Sequence, residues 1–439
     1  MGDVKRRDAL KLGAGALAGA ALGPSSIGAA AAADWTIKPE PGASIRVLRW
    51  KRFVQGDEDK WLENTARYTQ ATGVKVRVDN EGWEDMSPKA AVAANVGSGP
   101  DVIVGWMDSP HLFPDKLVDL TALADYLGGK YGGWYDTPRK YATNKGRWIG
   151  LPLGASGALL NYRVSWMHEA GFDTMPTDTA GFLKLCQALN KTGHPPGFAL
   201  SHATGDSETW MHCLLWGFGG KLVDAHNNVA INSPATIEAL EYVKELAQTF
   251  IPGVLSWSGV SNNNAFLEGK ISLTSNGISI YYVAKNDKDP AKNAVAADMD
   301  HAPMPIGKLG KPTEMHLLSQ AMLFKYSKFP NAAQDYLRFM WEKDQYEPWQ
   351  QASFGYISHP LKAYADNPLW REDPKYLPFR DCCARMLWNG YDGDLGYSSA
   401  ATLADWIVVD MFAAVASGQK TAKDAVAEAE KRAERYYKV

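Results

Sequence analysis

The stretch 99–106 reads GPDVIVGW and runs on into Met107-Asp108. The run 101–104 has the apolar, β-branched character of a buried strand. An indole and, two residues further, a carboxylate therefore stand where a strand opens into a loop. An indole removes a flat C–H face from water. A carboxylate accepts hydrogen bonds from two adjacent hydroxyls, and its charge strengthens them. Trp106 and Asp108 on one loop thus suit a partner apolar on its faces and hydroxylated around its edge, such as a pyranose. The alternative is that Trp106 closes the core and Asp108 caps the turn before Pro110. Trp50 and Trp83 follow two other strand-like runs. The chain holds 16 Trp and 19 Tyr, more than a core of its size needs, although packing accounts for most of them.

The elements that would position these residues follow from periodicity. The run 45–50 (IRVLRW) has strand character. Trp61, Leu62, Thr65 and Tyr68 recur at helical spacing, and Gly73 marks the stop. The run 74–78 alternates as a strand does, and a helix with Pro at its start is expected over 88–95. Strands alternating with helices give right-handed parallel crossovers and an α/β sheet. Ligands bind beyond the carboxyl ends of such strands, which would gather Trp50, Trp83 and Trp106 around one crevice. Further on, 158–162 and 315–324 read as strands. The runs 182–189, 237–250 (capped by Ser233-Pro234), 332–341 and 421–436 read as helices.

The length, 439 residues, allows two or three domains. A net charge of −3 does not suggest a nucleic-acid partner. Lys5-Arg6-Arg7, the small-residue run LGAGALAGAALG and Ala31-Ala32-Ala33 resemble a twin-arginine export signal over residues 1–33, cleaved before Asp34. No later segment reads as transmembrane, so a soluble, periplasmic mature protein is expected. The four cysteines, Cys186, Cys213, Cys382 and Cys383, lie far from the cleavage site, which argues against a lipid anchor there. They are expected as buried thiols. There is no CxxC, so a cysteine zinc site is not expected, nor is any other metal or organic cofactor.

An ordered series of short motifs resembles the extracellular solute-binding proteins of ABC importers (family 1, the group that includes maltose-binding protein). They are Gly56-Asp57-Glu58; Ala71-Thr72-Gly73-Val74-Lys75-Val76; Gly99-Pro100-Asp101-Val102-Ile103; Arg147-Trp148-Ile149-Gly150-Leu151-Pro152 through Asn161-Tyr162; Phe266-Leu267-Glu268-Gly269-Lys270 with Ser275-Asn276-Gly277; and Ala416-Ser417-Gly418. The resemblance implies a two-lobed α/β periplasmic-binding-protein fold. Each lobe would be a mainly parallel sheet flanked by helices, hinged around an inter-lobe ligand cleft. The N-terminal lobe would comprise 34–152 and 314–362, the C-terminal lobe 153–313 and 363–439, with crossings near 152–155, 312–316 and 360–363. It further implies a monomer that hands a carbohydrate to ABC importer permease subunits in the inner membrane.

By similarity, Trp106 and Asp108 occupy the group's stacking-and-carboxylate position, and Trp83 a ligand-facing aromatic position with Glu81 nearby. Ser156 falls where maltose-binding protein has a Glu, which argues against a maltodextrin ligand. Ser279 replaces a stacking Trp, for which Tyr281, Tyr282 or Trp257 are candidate substitutes. Asn276 is a hydrogen-bonding or turn residue. Glu314 and His316 stand beside one crossing, and Tyr356 precedes another. Trp388, Tyr391, Asp392 and Asp394 form an aromatic and acidic loop in the second lobe. Trp210, Trp216 and Trp406 are expected to pack.

Other classes are weighed against this one. A secreted glycoside hydrolase would also place two carboxylates about a sugar. However, Gly154-Ala155-Ser156-Gly157 departs from G-x-S-x-G, and His168-Glu169 lacks the second His of H-E-x-x-H. The same fold would take a polyamine with several acids and an aromatic box, or a phosphodiester through Lys51 and Arg52.

Overall fold

The computed structural model describes residues 34–51 and 53–437. Residues 1–33, with the expected export signal, and Arg52 lie outside the described residues. The strands are β1 (Ser44–Trp50), β2 (Lys75–Glu81), β3 (Val102–Trp106), β4 (Thr143–Asn144), β5 (Arg147–Trp148), β6 (Leu151–Ser156), β7 (Leu159–Arg163), β8 (Leu273–Asn276), β9 (Met299–Ala302) and β10 (Leu317–Leu323). Helices Gln55–Thr72 and Met86–Val96 separate the first three strands, each ended by a left-handed glycine, Gly73 or Gly97.

Two sheets form two lobes. The first runs β2-β1-β3-β10-β6, with β1 parallel to β2 and β3, and β10 antiparallel to β3 and β6. The second runs β8-β7-β9 and is antiparallel at both ladders. It therefore differs from the mainly parallel sheet expected there. The reason is directional: β7 leaves the rim between the lobes, and both partners run back towards it. This puts the carboxyl end of β8, Asn276-Gly277, at that rim.

The chain passes between the sheets at Gly157-Ala158, between β6 and β7, and again over 303–316, between β9 and β10. Beside the first passage Ala155 pairs with Ser358. Gly154 sits there at φ +141°, and a Cβ would fall 1.7 Å from the Ser358 carbonyl oxygen; only glycine permits that approach.

Much of the tryptophan surplus is core. Trp61 meets Trp341 and Trp349 edge-on at 6.3 and 5.9 Å, and Trp210 and Trp216 are buried in the second lobe. All four cysteines are buried free thiols. The stretch Tyr397–Ala416 has mean hydropathy 1.5 and, by length and composition, meets the requirement for crossing a membrane, contrary to the sequence expectation. It folds as two helices, Tyr397–Ala404 and Ile407–Ala416, and the second packs on Pro234–Ala247 and Ala422–Ala433.

Candidate functional site

A pocket of about 460 Å³, counted to its open mouth, lies between the lobes at the carboxyl ends of β1, β2 and β8. The first lobe contributes Phe53, Trp83, Leu317 and Tyr356. The second contributes Thr204, Asp206, Val260, Asn263, Asn276 and Ser279, and Ser156 and Gly157 stand at the passage between them.

Trp83 supplies its aromatic wall. The ring is half-buried and stacks on Trp106 with centroids 4.5 Å apart and planes 1° from parallel. Trp106 Nε1 donates to the Trp83 carbonyl at 3.1 Å, and Tyr356 meets Trp83 edge-on at 6.3 Å. Trp50 lies beneath both indoles, at 5.7 and 5.5 Å. The three tryptophans that follow β1, β2 and β3 are thus gathered, but in layers. Trp50 is 1 % and Trp106 4 % exposed, so the outermost, Trp83, presents a ring to the pocket.

The polar wall comes mostly from the second lobe. Asp206 opens the helix Asp206–Phe218 after the left-handed Gly205, whose N–H is accepted by Glu208 Oε2 at 2.8 Å. Asp206 Oδ2 is buried and has no hydrogen-bond partner among the described residues. Burial pushes the Asp206 carboxyl well above its usual range; the Glu84 carboxylate adds to this, the Asn262 amide opposes it and the Glu208 carboxylate raises it further. Asn276 and Asn263 bond side chain to side chain, and Asn276 Oδ1 accepts from the Gly277 N–H at 2.6 Å and Ser279 Oγ at 3.3 Å. This network fixes the amides with little rotamer freedom left to lose. Glu84 Oε1 accepts from the Gly259 N–H at 2.8 Å and ties the two lobes together at the mouth.

Of the eleven residues picked from the sequence, Trp83, Ser156, Asn276 and Tyr356 line this pocket. The others stand elsewhere, each for a visible reason. Trp106 backs Trp83. Asp108 is buried and accepts from Asn389 Nδ2 at 3.0 Å and Ser399 Oγ at 3.1 Å, so it joins segments of the chain instead of facing the polar pocket. Burial pushes its carboxyl up to about 6, the Asn389 and Ser399 donors opposing. Trp257 packs over Gly197, where a Cβ would meet its ring at 2.5 Å. Glu314 and His316 bond each other at 2.9 Å; Glu314 also receives Arg385 at 3.1 Å, and His316 Nδ1 accepts from the Ala158 N–H. Trp388 lies under Lys140 Nζ at 3.5 Å and donates to the Gly393 carbonyl. Asp392 pairs with Lys221 at 2.6 Å.

The weaker candidates are also placed. Glu81 pairs with Lys89, Tyr281 donates to Asp373, and the Tyr282 hydroxyl accepts from the Gly56 N–H. Asp394 accepts from Asn227, and Tyr391 meets Trp216 and Trp388 edge-on. The sequence reading missed Asp206, Thr204 and Asn263. For Asp206 a signal existed: Gly205 followed by Glu208 is the spacing of a helix start in which Glu at the third helical position reaches back.

A family described as bacterial extracellular solute-binding protein matches residues 64–378. A probable ABC transporter-binding protein from Deinococcus radiodurans is 23% identical over 206 residues, covering 44% of this chain and 47% of that protein. The putative ABC transporter periplasmic-binding protein YcjN of Escherichia coli is 22% identical over 298 residues, 65% of each chain. The chain thus spans about half to two thirds of these relatives' length. Maltose-bound MalE3 of T. maritima superposes with a TM-score of 0.77 at 20% identity, covering 90% of this chain and 99% of that one. The GacH receptor of Streptomyces glaucescens, solved unliganded and with acarbose, does so at 0.76 and 18%, with the same coverage. A solute-binding protein of Agrobacterium radiobacter with ribitol follows at 0.74 and 17%, covering 91% and 100%. These likenesses fix the two-lobed periplasmic-binding fold, and the matched span, well over half of the chain, places this protein in the bacterial extracellular solute-binding protein family.

Proposed function

We propose that the protein captures a small carbohydrate or polyol in the pocket between its lobes and delivers it, as an exported soluble protein, to the permease subunits of an ABC importer. The observation that carries this reading is the pairing, in one pocket, of a half-buried indole with a buried carboxylate oxygen that has no hydrogen-bond partner among the described residues. Trp83 would stack on the C–H face of the ring. Asp206, held by the helix start, would accept from adjacent hydroxyls. Asn263, Asn276, Ser156 and Ser279 would bond the remaining edge. Capture at about micromolar strength needs roughly 8 kcal/mol net, within reach of one stacked ring, the Asp206 carboxyl and several neutral hydrogen bonds.

The two lobes, expected as 34–152 with 314–362 and 153–313 with 363–439 but with all of β6 (Leu151–Ser156) on the first sheet, would close about the passages at Gly157-Ala158 and 303–316, with the Glu84 to Gly259 bond as the closing contact. The family resemblance and the sugar- or polyol-bound structural neighbours support this class of solute. A solute bearing an ammonium group is the second reading, favoured by Asp206 with Glu84 nearby. A phosphodiester suits these acids poorly, and Lys51 does not line the pocket.

A thermal-shift screen over monosaccharides, disaccharides, polyols, polyamines and phosphodiesters tests the proposal, because a ligand of the folded state alone raises the melting temperature. Saccharides or polyols should raise it and be recovered unchanged. A response confined to polyamines or phosphodiesters, or turnover of a glycoside, would overturn it.

A further inference from the structure

A second cavity adjoins the polar pocket. Thr204 lines both, and Glu84, which bonds Gly259 at the mouth of the first, borders the second as well. Counted to its open mouth it spans about 880 Å³, more than the polar pocket on the same measure. Its walls are mostly carbon: Trp106, Met107 and Leu112 on the first lobe face Ala400, Leu403 and Trp406 on the second. Glu84, Ser87, Ser109 and Thr204 add polar groups at its margin, and the groups deepest in it already hold partners. Asp108 accepts from Asn389 and Ser399, Glu208 from the Gly205 N–H, and the Trp106 N–H is given to Trp83.

Two residues of this wall sit in the left-handed region, Met107 at φ 42° and Trp406 at φ 55°. Large side chains adopt that region at a cost, and such residues gather at functional sites. Met107 and Trp406 come from opposite lobes and border the same hollow, so backbone strain is concentrated on both of its sides.

From this we infer, building on the function proposed above, that the ligand is a glycoside carrying an apolar aglycone, with its sugar in the polar pocket and the aglycone in the cavity between Leu112 and Trp406. A second sugar ring would bring hydroxyls against walls that are mostly carbon, and each one left without a partner costs about 1–3 kcal/mol. An aromatic or short alkyl group loses nothing there and gains burial. Trp83 and Trp106 then divide the work: one indole faces the sugar, and the other borders the aglycone.

The test is calorimetric titration of the mature protein with methyl and phenyl glucosides and galactosides of both anomers, and with maltose, cellobiose and lactose. The preferred phenyl glycoside should bind at least about tenfold more tightly than its methyl counterpart, with no such gain for the disaccharides. Leu403→Asp and Ala404→Phe, the second from an exposed position on the same wall, should each reduce the phenyl-to-methyl ratio to below about threefold. The ratio is read within one variant, so any general loss of folded protein cancels. Equal binding of methyl and phenyl glycosides would overturn this inference and leave the sugar-binding proposal standing. A phenyl preference that both variants preserve would place the ring elsewhere and overturn it too. Binding of no glycoside at all would overturn this inference, and the proposed function with it only if the thermal-shift screen also shows no response to monosaccharides or polyols.

Discussion

Trp83 and Trp106 lie face to face, centroids 4.5 Å apart and planes 1° from parallel, yet one is half-buried and the other almost wholly enclosed. Their substitution should therefore have different consequences. Trp83→Ala should weaken ligand at least about tenfold by removing one stacking face, with a small change in melting temperature. Trp106→Ala opens a void under the site and should cost about 3–5 kcal/mol of stability. Parallel urea unfolding and titration of the two variants checks this. Equal destabilisation by both would mean that Trp83 is core.

Asp206 is expected to trade stability for binding. Its carboxyl titrates in the folded state well above its usual value, chiefly through burial. The folded state thus holds a proton that the unfolded state has released, and stability falls as pH rises through that window. Asp206→Asn removes this penalty and, with it, the carboxyl group proposed to receive the ligand's hydroxyls. The variant should melt higher than the parent at pH 7.5 and bind about 10- to 100-fold more weakly. A variant that melts lower and binds normally would move the site away from Asp206.

How much of this was legible depends on range. The β1 to β3 rhythm was readable because alternation, helical spacing and a terminal glycine are local signals. The gathering of Trp50, Trp83 and Trp106 followed from where parallel strands end. Their layering was not readable, because it depends on how the loop after β2 folds over the one after β3. Asp206 was missed with its helix: Asp206–Phe218 is buried on nearly every side, so it shows no amphipathic period. Glu314 looked available because its partner Arg385 is 71 residues away. Asp108 looked available for the same reason, its donors Asn389 and Ser399 lying 281 and 291 residues on.

Asp108 should make stability depend on pH. Burial raises its carboxyl from 3.8 to about 6. Between those values the folded protein binds more proton than the unfolded chain, so this contribution is present at pH 4 and is lost as pH rises through 6, on the order of 3 kcal/mol in all. In Asp108→Asn the amide oxygen still accepts from Asn389 and Ser399. Urea unfolding at pH 5 and pH 8 should show the variant gaining on the parent at the higher pH. A difference that stays constant between the two would show that Asp108 titrates normally.

Breaking one side of the ion pair at the root of the first lobe should be costly. Arg49 and Asp57 are each 1 % exposed and 2.6 Å apart, and Arg49 lies over Trp50 and Trp61 at 4.4 and 4.6 Å. Asp57 also accepts from the Trp50 and Trp349 indole N–H groups at 3.0 and 2.9 Å. One carboxylate therefore joins β1, the first helix and the helix Lys343–Ala352. The preceding Gly56 approaches Ala352 so closely that a Cβ would fall 1.8 Å from its carbonyl oxygen. Asp57→Ala leaves the guanidinium buried without its counter-charge and should cost about 3–5 kcal/mol. The double variant Arg49→Met with Asp57→Leu should recover a large part of that loss, since no stranded charge remains. If the single variant unfolds at the same urea concentration as the parent, the pair carries no such weight and the indole contacts alone hold the corner.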